Sequence, residues 1–390
     1  MNPGSARGLA ADTVSLRRQL SEGLKAEDLA AVSHAFRALG AGRRLDPKLS
    51  AAVGSFASRL GAPDLAEEAF RLALEERPDD PTFLHFRGLA RLRAGRWRDG
   101  WRDCEARLDA HRLLPFSAMA VGGAPLPRWR AGEPPPARLL ICTEQGAGDT
   151  IQFARFALRL MAEGVEVRVM ASPKLAWLVR ALGLPLVEPS PEGVIAVSVD
   201  AWCAMMSLPG LMGVETDEAL SSPPYLARVG GEASGARSRP RIGLAWQGNP
   251  RHPNDAYRSI PPQALSPLLE TEGYEFVSLQ VADGVDQPPP ANMAAGPQPG
   301  DKPFLAALER VSGTDLVVAI DSAVAHMAGA MGVPCALLLP PHHRDWRWER
   351  GATTSPWYDA VRIFRRLPTE TWPSFVARVS PEVLALGRPS

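Results

Sequence analysis

The first third of the chain carries a repeat in its pattern of small and large apolar positions. Gly54 returns as Gly88, Gly61 as Gly95, Ala66 as Gly100 and Phe70 as Cys104, each a step of 34 residues, and Phe36 lies 34 residues before Phe70. A period of this length is that of tetratricopeptide-like helix pairs, where small residues let paired helices approach and larger ones fill between them. The copy "PTFLHFRGLARLRAGRWRDGWRDCEARL" is the clearest, with Leu84, Gly88, Gly95, Trp97 and Gly100 at packing positions, while the earlier copies are degenerate. A plain helical bundle would share the helices without the period. Residues 1–112 are therefore expected to form helical repeats.

From 113 to 137 the composition shifts to Pro and Gly, ending in "GEPPPAR", where fixed φ and missing N–H groups work against a regular element. This segment reads as a linker. Beyond it, apolar strand candidates alternate with helical patterns: "ARLLICTE", "QFARFALRLMAEG", "VEVRVMAS", "PKLAWLVRALG" and "LPLVE". After a second break, "GGEASGARSRP", come "RIGLAW", "YEFVSLQ", "DLVVAID" and "PCALLLP", and the final "TETWPSFVARVSPEVLALG" reads as a helix. Alternation of this kind is the signature of parallel α/β sheets. Two Rossmann-like units are expected, at 138–232 and 239–390, with a cleft between them.

Charge and cysteine content narrow the function. Lys plus Arg and Asp plus Glu balance at 43 each, so no global field favours nucleic acid or an anionic membrane, and any anion site must be local. The four cysteines lie far apart, form no CxxC pair, and sit mostly in apolar runs, which points to a reducing compartment. No apolar run reaches the ~18 residues of a membrane span and "MNPGSARGLAADTVSLRRQL" lacks an apolar signal core, so a cytoplasmic protein without a transmembrane segment is expected. His342 and His343 have no spaced acidic or cysteine partners, and no metal or other cofactor is expected.

Four strand ends carry candidate chemistry. In "LLICTEQGAGDTIQFARF" an apolar strand meets a turn holding Gln145, Gly146 and Gly148, followed by Asp149. An acid at a turn suited to anions is either a helix cap or a catalytic base, and its spacing to Gln152 makes a capping-box pattern with Asp149 as the cap. In "VVAIDSAVAHMAGAMG" a buried strand ends at Asp321, and a helix of small residues starts at Ser322 and Ala323, presenting free N–H groups to a diphosphate. His326 falls on the same helix face as Ser322; the alternative is a simple cap and a buried, satisfied histidine. Gln247, Gly248 and Asn249 leave another strand end, where glycine between two amides suits close backbone approach to a phosphate or sugar, and Gln280 ends a fourth strand as a nucleotide contact.

Four ordered motifs, "EQGAGDTIQFARF", "GLAWQGNPRHPNDAYRSIP", "VVAIDSAVAHMAGAMGVP" and "DWRW…SPWYDAVRIFRR", resemble bacterial proteins that join tetratricopeptide repeats to a domain similar to the ADP-heptose lipopolysaccharide heptosyltransferases. The resemblance covers about residues 61–366. It implies a GT-B fold and inverting, metal-independent transfer of a sugar from a nucleotide-sugar donor. It implies Asp149 as the general base on the acceptor side, and the Asp321–His326 segment as the holder of the donor pyrophosphate. Arg258 stands where the family carries a lysine that contacts the diphosphate, and a guanidinium keeps the charge while adding a two-pronged grip. Trp346, Trp348 and Trp357 are expected to pack the second α/β unit. The repeats suggest a protein acceptor, with lipopolysaccharide as the alternative. A scaffold with an inactive transferase domain and a nucleotide-dependent redox enzyme are the rival classes.

Overall fold

The computed structural model describes residues 3–41, 44–110, 120–121, 124–188, 197–228, 238–280, 293–294, 303–349 and 353–387. Residues 113–119 and 122–123 of the expected linker, and 230–237 of the second break, lie outside them. The chain divides into two compact units, Met1–Leu113 and Leu114–Ser390.

The first unit is a run of helical hairpins: α1 (Pro3–Ala26), α2 (Leu29–Gly40), α3 (Pro47–Arg59), α4 (Pro63–Glu76), α5 (Pro81–Arg93) and α6 (Trp97–Cys104), with a short α7 (Arg107–Ala110). The 34-residue period has a direct physical basis. A Cβ on Gly54 would lie 2.7 Å from the Phe70 ring, and one on Gly88 would lie 2.8 Å from Cys104, so the same helix contact recurs one repeat later. Gly61 and Gly95 follow the first helix of successive hairpins with φ of 75° and 76°, a left-handed conformation that glycine alone adopts without cost. Asp46 and Asp80, each followed by proline, cap α3 and α5 by accepting from Lys48 N (2.9 Å) and Thr82 N (3.0 Å). Phe36, Val53, Phe56 and Ala69 fill the space between the helices.

The second unit holds two parallel sheets. The first contains β3 (Arg138–Cys142), β4 (Glu166–Met170), β5 (Leu186–Val187) and β6 (Ala201–Ala204) in the order β5-β4-β3-β6. Its helices are α8 (Ala147–Ala162), α9 (Ala176–Ala181) and the single turn α10 (Leu208–Leu211). The second contains β7 (Arg241–Ala245), β8 (Glu275–Ser278), β9 (Leu316–Ile320), β10 (Cys335–Leu339) and β11 (Val361–Arg365) in the order β11-β10-β9-β7-β8. With it come α11 (Asp255–Arg258), α12 (Ser266–Leu269), α13 (Pro303–Ser312), α14 (Ala323–Met331) and α15 (Trp372–Ala385). Both sheets are parallel in every pairing, and β3, β7, β9 and β10 are buried on both faces and read as continuous apolar runs, whereas β4, β8 and β11 alternate buried with more exposed positions. Ile242, Leu316, Val318 and Leu338 pack with Phe375, Val379 and Val383 of α15. Two Rossmann-like sheets in one unit are the GT-B architecture, preceded by α-helical tetratricopeptide-like repeats.

The later part of the 113–137 segment departs from the expectation of an unstructured connector. Two-residue strands β1 (Ala120–Val121) and β2 (Ala124–Pro125) pair antiparallel. Leu126 and Trp129 are buried, and Trp129 N and Pro127 O bond to Trp202 at 2.9 Å each, extending the edge of the first sheet. Proline lacks a donor but keeps its carbonyl, so it is tolerated on such an edge.

Candidate functional site

In an open α/β sheet a ligand crevice forms beyond the carboxyl ends of the strands where the strand order reverses. In the second sheet that point lies between β7 and β9. The segment 246–249 leaves β7 and is held by Gln280, whose Oε1 accepts from Trp246 N (3.2 Å) and Gln247 N (3.0 Å) and whose Nε2 donates to Gln247 O (2.8 Å). Gln280 is thus buried and fixes the loop backbone from within. Asn249 Oδ1 accepts from Arg251 N at 3.0 Å and tightens the turn that follows.

Arg258, at the end of α11, reaches across this crevice. Its Nε donates to Asp255 Oδ1 at 3.2 Å and its Nη1 donates to Asp321 O at 2.8 Å, tying the β7 loop to the end of β9. A Cβ on Gly248 would collide with both the Arg258 guanidinium and the Asp255 carboxylate, so only glycine allows this approach. Gly248 N donates to Ser259 Oγ at 3.3 Å, leaving the loop backbone ordered by side chains.

Beyond β9, Ser322 stands at the N-cap of α14 with Ala323 as the first helical residue. The Ser322 hydroxyl makes no capping bond, and its Oγ is buried without a hydrogen-bond partner. A hydroxyl in that state at a helix N-terminus can donate to an anion. Asp321 Oδ1 accepts from Trp348 Nε1 at 2.9 Å, and burial pushes its carboxyl up to about 6. His326 is buried, with Nδ1 3.0 Å from Tyr358 Oη, and burial together with nearby Arg347 drives its imidazole down to about 3. It is a neutral ring, so it can exchange hydrogen bonds without adding charge.

The first sheet reverses between β3 and β6, and the loop 143–149 crosses that point. Glu144 Oε1 accepts from Met206 N at 3.0 Å and bridges the two strand ends. Asp149 is not the helix cap that its spacing to Gln152 suggested. Gly146 is the N-cap of α8, and Asp149, at the third helical position, reaches back to accept from Gly146 N at 3.1 Å. The reversal follows from the loop: Gly146 supplies the extended backbone before the helix, so the carboxylate serves the N-terminus from inside. Gln152 faces inward and its Oε1 accepts from Arg347 Nε at 2.5 Å.

The two strand-end clusters meet. A Cβ on Gly148 would lie 2.9 Å from His326 Cδ2 and 3.7 Å from Ala323 Cα, so the N-terminal turns of α8 and α14 are in direct contact. Arg347, in the turn Trp346–Trp348 between β10 and β11, donates from Nη2 to Asp149 Oδ1 at 2.5 Å and from Nη1 to both oxygens of Asp345 at 3.0 Å. Asp149 is raised above the ordinary carboxylate range by burial, and Arg347 opposes that rise. Farther along α8, Arg155 is buried and donates to Leu220 O (2.7 Å), Trp357 O (2.5 Å) and Tyr225 Oη (3.2 Å), with its guanidinium over the Tyr358 ring at 4.5 Å.

Gly146, Gly148 and Asp149 thus stand at the end of the first sheet against Ala323 and His326, and Arg258, Asp321 and Ser322 gather at the end of the second, whereas the side chains of Gln280 and Asn249 are spent on loop backbone. Arg347, Arg155, Trp348 and Tyr358 were not singled out from the sequence as site residues. The tryptophans of "DWRW" and "SPWYD" are buried as expected, and the arginine between two of them carried the signal that was missed. Tyr257, half exposed, stacks on His343 at 3.6 Å and 8° beside Arg258. Among the described residues no group of three or more His, Cys, Asp or Glu is arranged to hold a metal ion, and no helix is long and apolar enough to cross a membrane.

No family model matches the chain. Protein FlbA of Caulobacter vibrioides is 27% identical over 339 residues, which cover 78% of this chain and 55% of FlbA, so the chain spans little more than half of that relative. Among solved structures, the dodecameric iron-containing heptosyltransferase TibC in complex with ADP-D-beta-D-heptose is similar with a TM-score of 0.43 and 13% identity, covering 64% of this chain and 66% of TibC. E. coli ADP-heptose lps heptosyltransferase II gives 0.42 and 16%, covering 64% and 98%. The Thermobaculum terrenum O-GlcNAc transferase gives 0.25 and 15%, covering 97% and 90%. These likenesses are remote, and the chemistry rests on the residues above.

Proposed function

We propose that the chain is an inverting, metal-independent glycosyltransferase that moves a sugar from a nucleotide-sugar donor to an acceptor hydroxyl, with a protein as the acceptor. The observation that carries this reading is the meeting of two unlike strand-end clusters: a carboxylate on α8 against a helix N-terminus flanked by arginine and an unpartnered serine. The donor diphosphate would lie at Ser322 and Ala323, with Arg258 supplying charge and His326 lining the helix face. Gln247, Gly248 and Asn249 would border the sugar or nucleotide through their backbone, held there by Gln280. Residues 138–232 would form the acceptor half, with Gln145, Gly146 and Gly148 in its loop, and 239–390 the donor half.

In the reaction Asp149 takes the proton of the acceptor hydroxyl as its oxygen forms a bond to the anomeric carbon. The bond from that carbon to the diphosphate oxygen breaks on the opposite face, and the nucleoside diphosphate leaves with the electron pair. Arginine and helix N–H groups stabilise the negative charge that develops, the role a divalent cation would otherwise fill. The helical repeats of 1–112 would recruit the acceptor, since stacked helix pairs form grooves suited to peptides.

To test this, the full chain is incubated with a panel of nucleotide sugars in the presence of chelator. At least one donor should release its nucleoside diphosphate, and deletion of 1–112 should abolish transfer to a protein acceptor while leaving that release intact. Parallel loss of both would mean that the repeats only support the fold, and release by neither form, with tight nucleotide binding, would favour an inactive scaffold.

A further inference from the structure

We propose that Arg347 is the positioning residue for Asp149, a counterion that apposition of the two sheets brings to the carboxylate as the same apposition dehydrates it. The inference rests on the reading of Asp149 as the base.

The geometry is specific to arginine. One guanidinium satisfies three side chains in three directions: Asp149 through Nη2 (2.5 Å), Gln152 through Nε (2.5 Å) and Asp345 through Nη1 (3.0 Å). Asp149 and Gln152 sit on one face of α8, whereas Arg347 comes from the other sheet, 198 residues away in sequence from Asp149. Arg347 is buried, lies over the Trp346 ring at 4.8 Å, and belongs to a turn that Asp345 caps through Arg347 N at 2.9 Å. Asp345 therefore fixes both the backbone and the head of the arginine. Lysine carries its three donors on one nitrogen and so lacks the spread of Nε, Nη1 and Nη2 that meets the amide and the two carboxylates here.

The need for such a residue follows from what surrounds Asp149. Glu144 from its own loop and Asp345 from the opposing turn both disfavour its negative charge, as burial does, while Gly146 N–H and Arg347 favour it. His252, from the loop before α11, senses Asp149 but is held below its ordinary range by burial and Arg258, and buried His326 behind Gly148 is neutral. Among the described residues Arg347 is the cation that touches the carboxylate. One Asp149 oxygen accepts from Gly146 and the other from Arg347, which fixes the plane of the carboxylate and leaves a lone pair on each for an incoming hydroxyl.

The test compares the full-length wild type, Arg347→Gln, Arg347→Lys and Asp149→Asn in nucleoside diphosphate release from the donor as a function of pH. Arg347→Gln should lower kcat by about 10-fold or more at pH 7 with donor KM changed less than about 3-fold, and should move the acid limb of kcat upward by about one pH unit. Arg347→Lys should return part of that shift. A uniform loss at every pH, or a limb that stays in place, would show a merely structural arginine and overturn the inference. Asp321→Asn, run alongside, should leave the displacement between Arg347→Gln and wild type in place; if it abolishes the displacement, the limb belongs to Asp321 and the inference fails.

If no donor is turned over by the wild type, the transferase reading fails, and the pair is then judged by a denaturation double-mutant cycle between Arg347→Gln and Asp149→Asn. A coupling of 10-fold or more in the unfolding constant at pH 8 that fades at pH 4 would sustain the pairing. Absence of coupling would overturn it.

Discussion

Asp321 and His326 lie about one helical turn apart, and burial moves their proton affinities in opposite directions because it favours the neutral form of each. The linkage signs are opposite as well. For His326, lowered to about 3, the unfolded chain binds the extra proton, so its contribution is present above about pH 6.5 and is lost as pH falls toward 3. For Asp321, raised to about 6, the folded chain binds it, so its contribution is present below about pH 4 and is lost as pH rises through 6. Replacing His326 by Gln removes only the first. Chemical denaturation at pH 7 and pH 4.5 should therefore find His326→Gln gaining on the wild type by about 2 kcal/mol at the lower pH, the scale of about 1.4 kcal/mol per pH unit for one proton. Parallel stability curves would mean that His326 titrates normally.

The contact of α8 with α14 sets how the two strand-end clusters meet, and Gly148 is its narrowest point. Inside an exposed helix, alanine in place of glycine would add up to about 1 kcal/mol. Here the added methyl would press against His326, so Gly148→Ala should instead destabilise the chain by about 1–3 kcal/mol, the usual cost of overpacking. Urea denaturation checks it, and an unchanged or raised midpoint would show that the two helices do not meet there. The same contact explains what the sequence could reveal. Strands β3, β7, β9 and β10 were legible because parallel strands at the centre of a sheet are apolar on both faces, β4 and β8 because their apolar positions alternate, and Gly54 and Gly88 because one helix contact recurs. The short β6 and β11 were not, since "AWCA" is too brief to show a period and "VRIFR" alternates arginines with apolar residues. Asp149, Ser322 and His326 stood out by their place after strands. Arg347 did not, because its meaning lies in partners from a distant helix, and a lone arginine among tryptophans reads as packing.

At the scale of the whole molecule, a chain with no net charge has no long-range field to gather an anion, so on the proposed reading donor recognition is left to local groups at the two strand-order reversals. Both reversals carry the residues assigned to chemistry, one holding a carboxylate and the other a helix N-terminus with arginine. That division of labour is the central claim, and it is tested most directly by comparing nucleoside diphosphate release from the active donor by the wild type and by Asp149→Asn, with donor affinity measured on both. The account predicts that release falls by about 100-fold or more, the scale of a general base, while affinity changes little. Undiminished release by Asp149→Asn would contradict it.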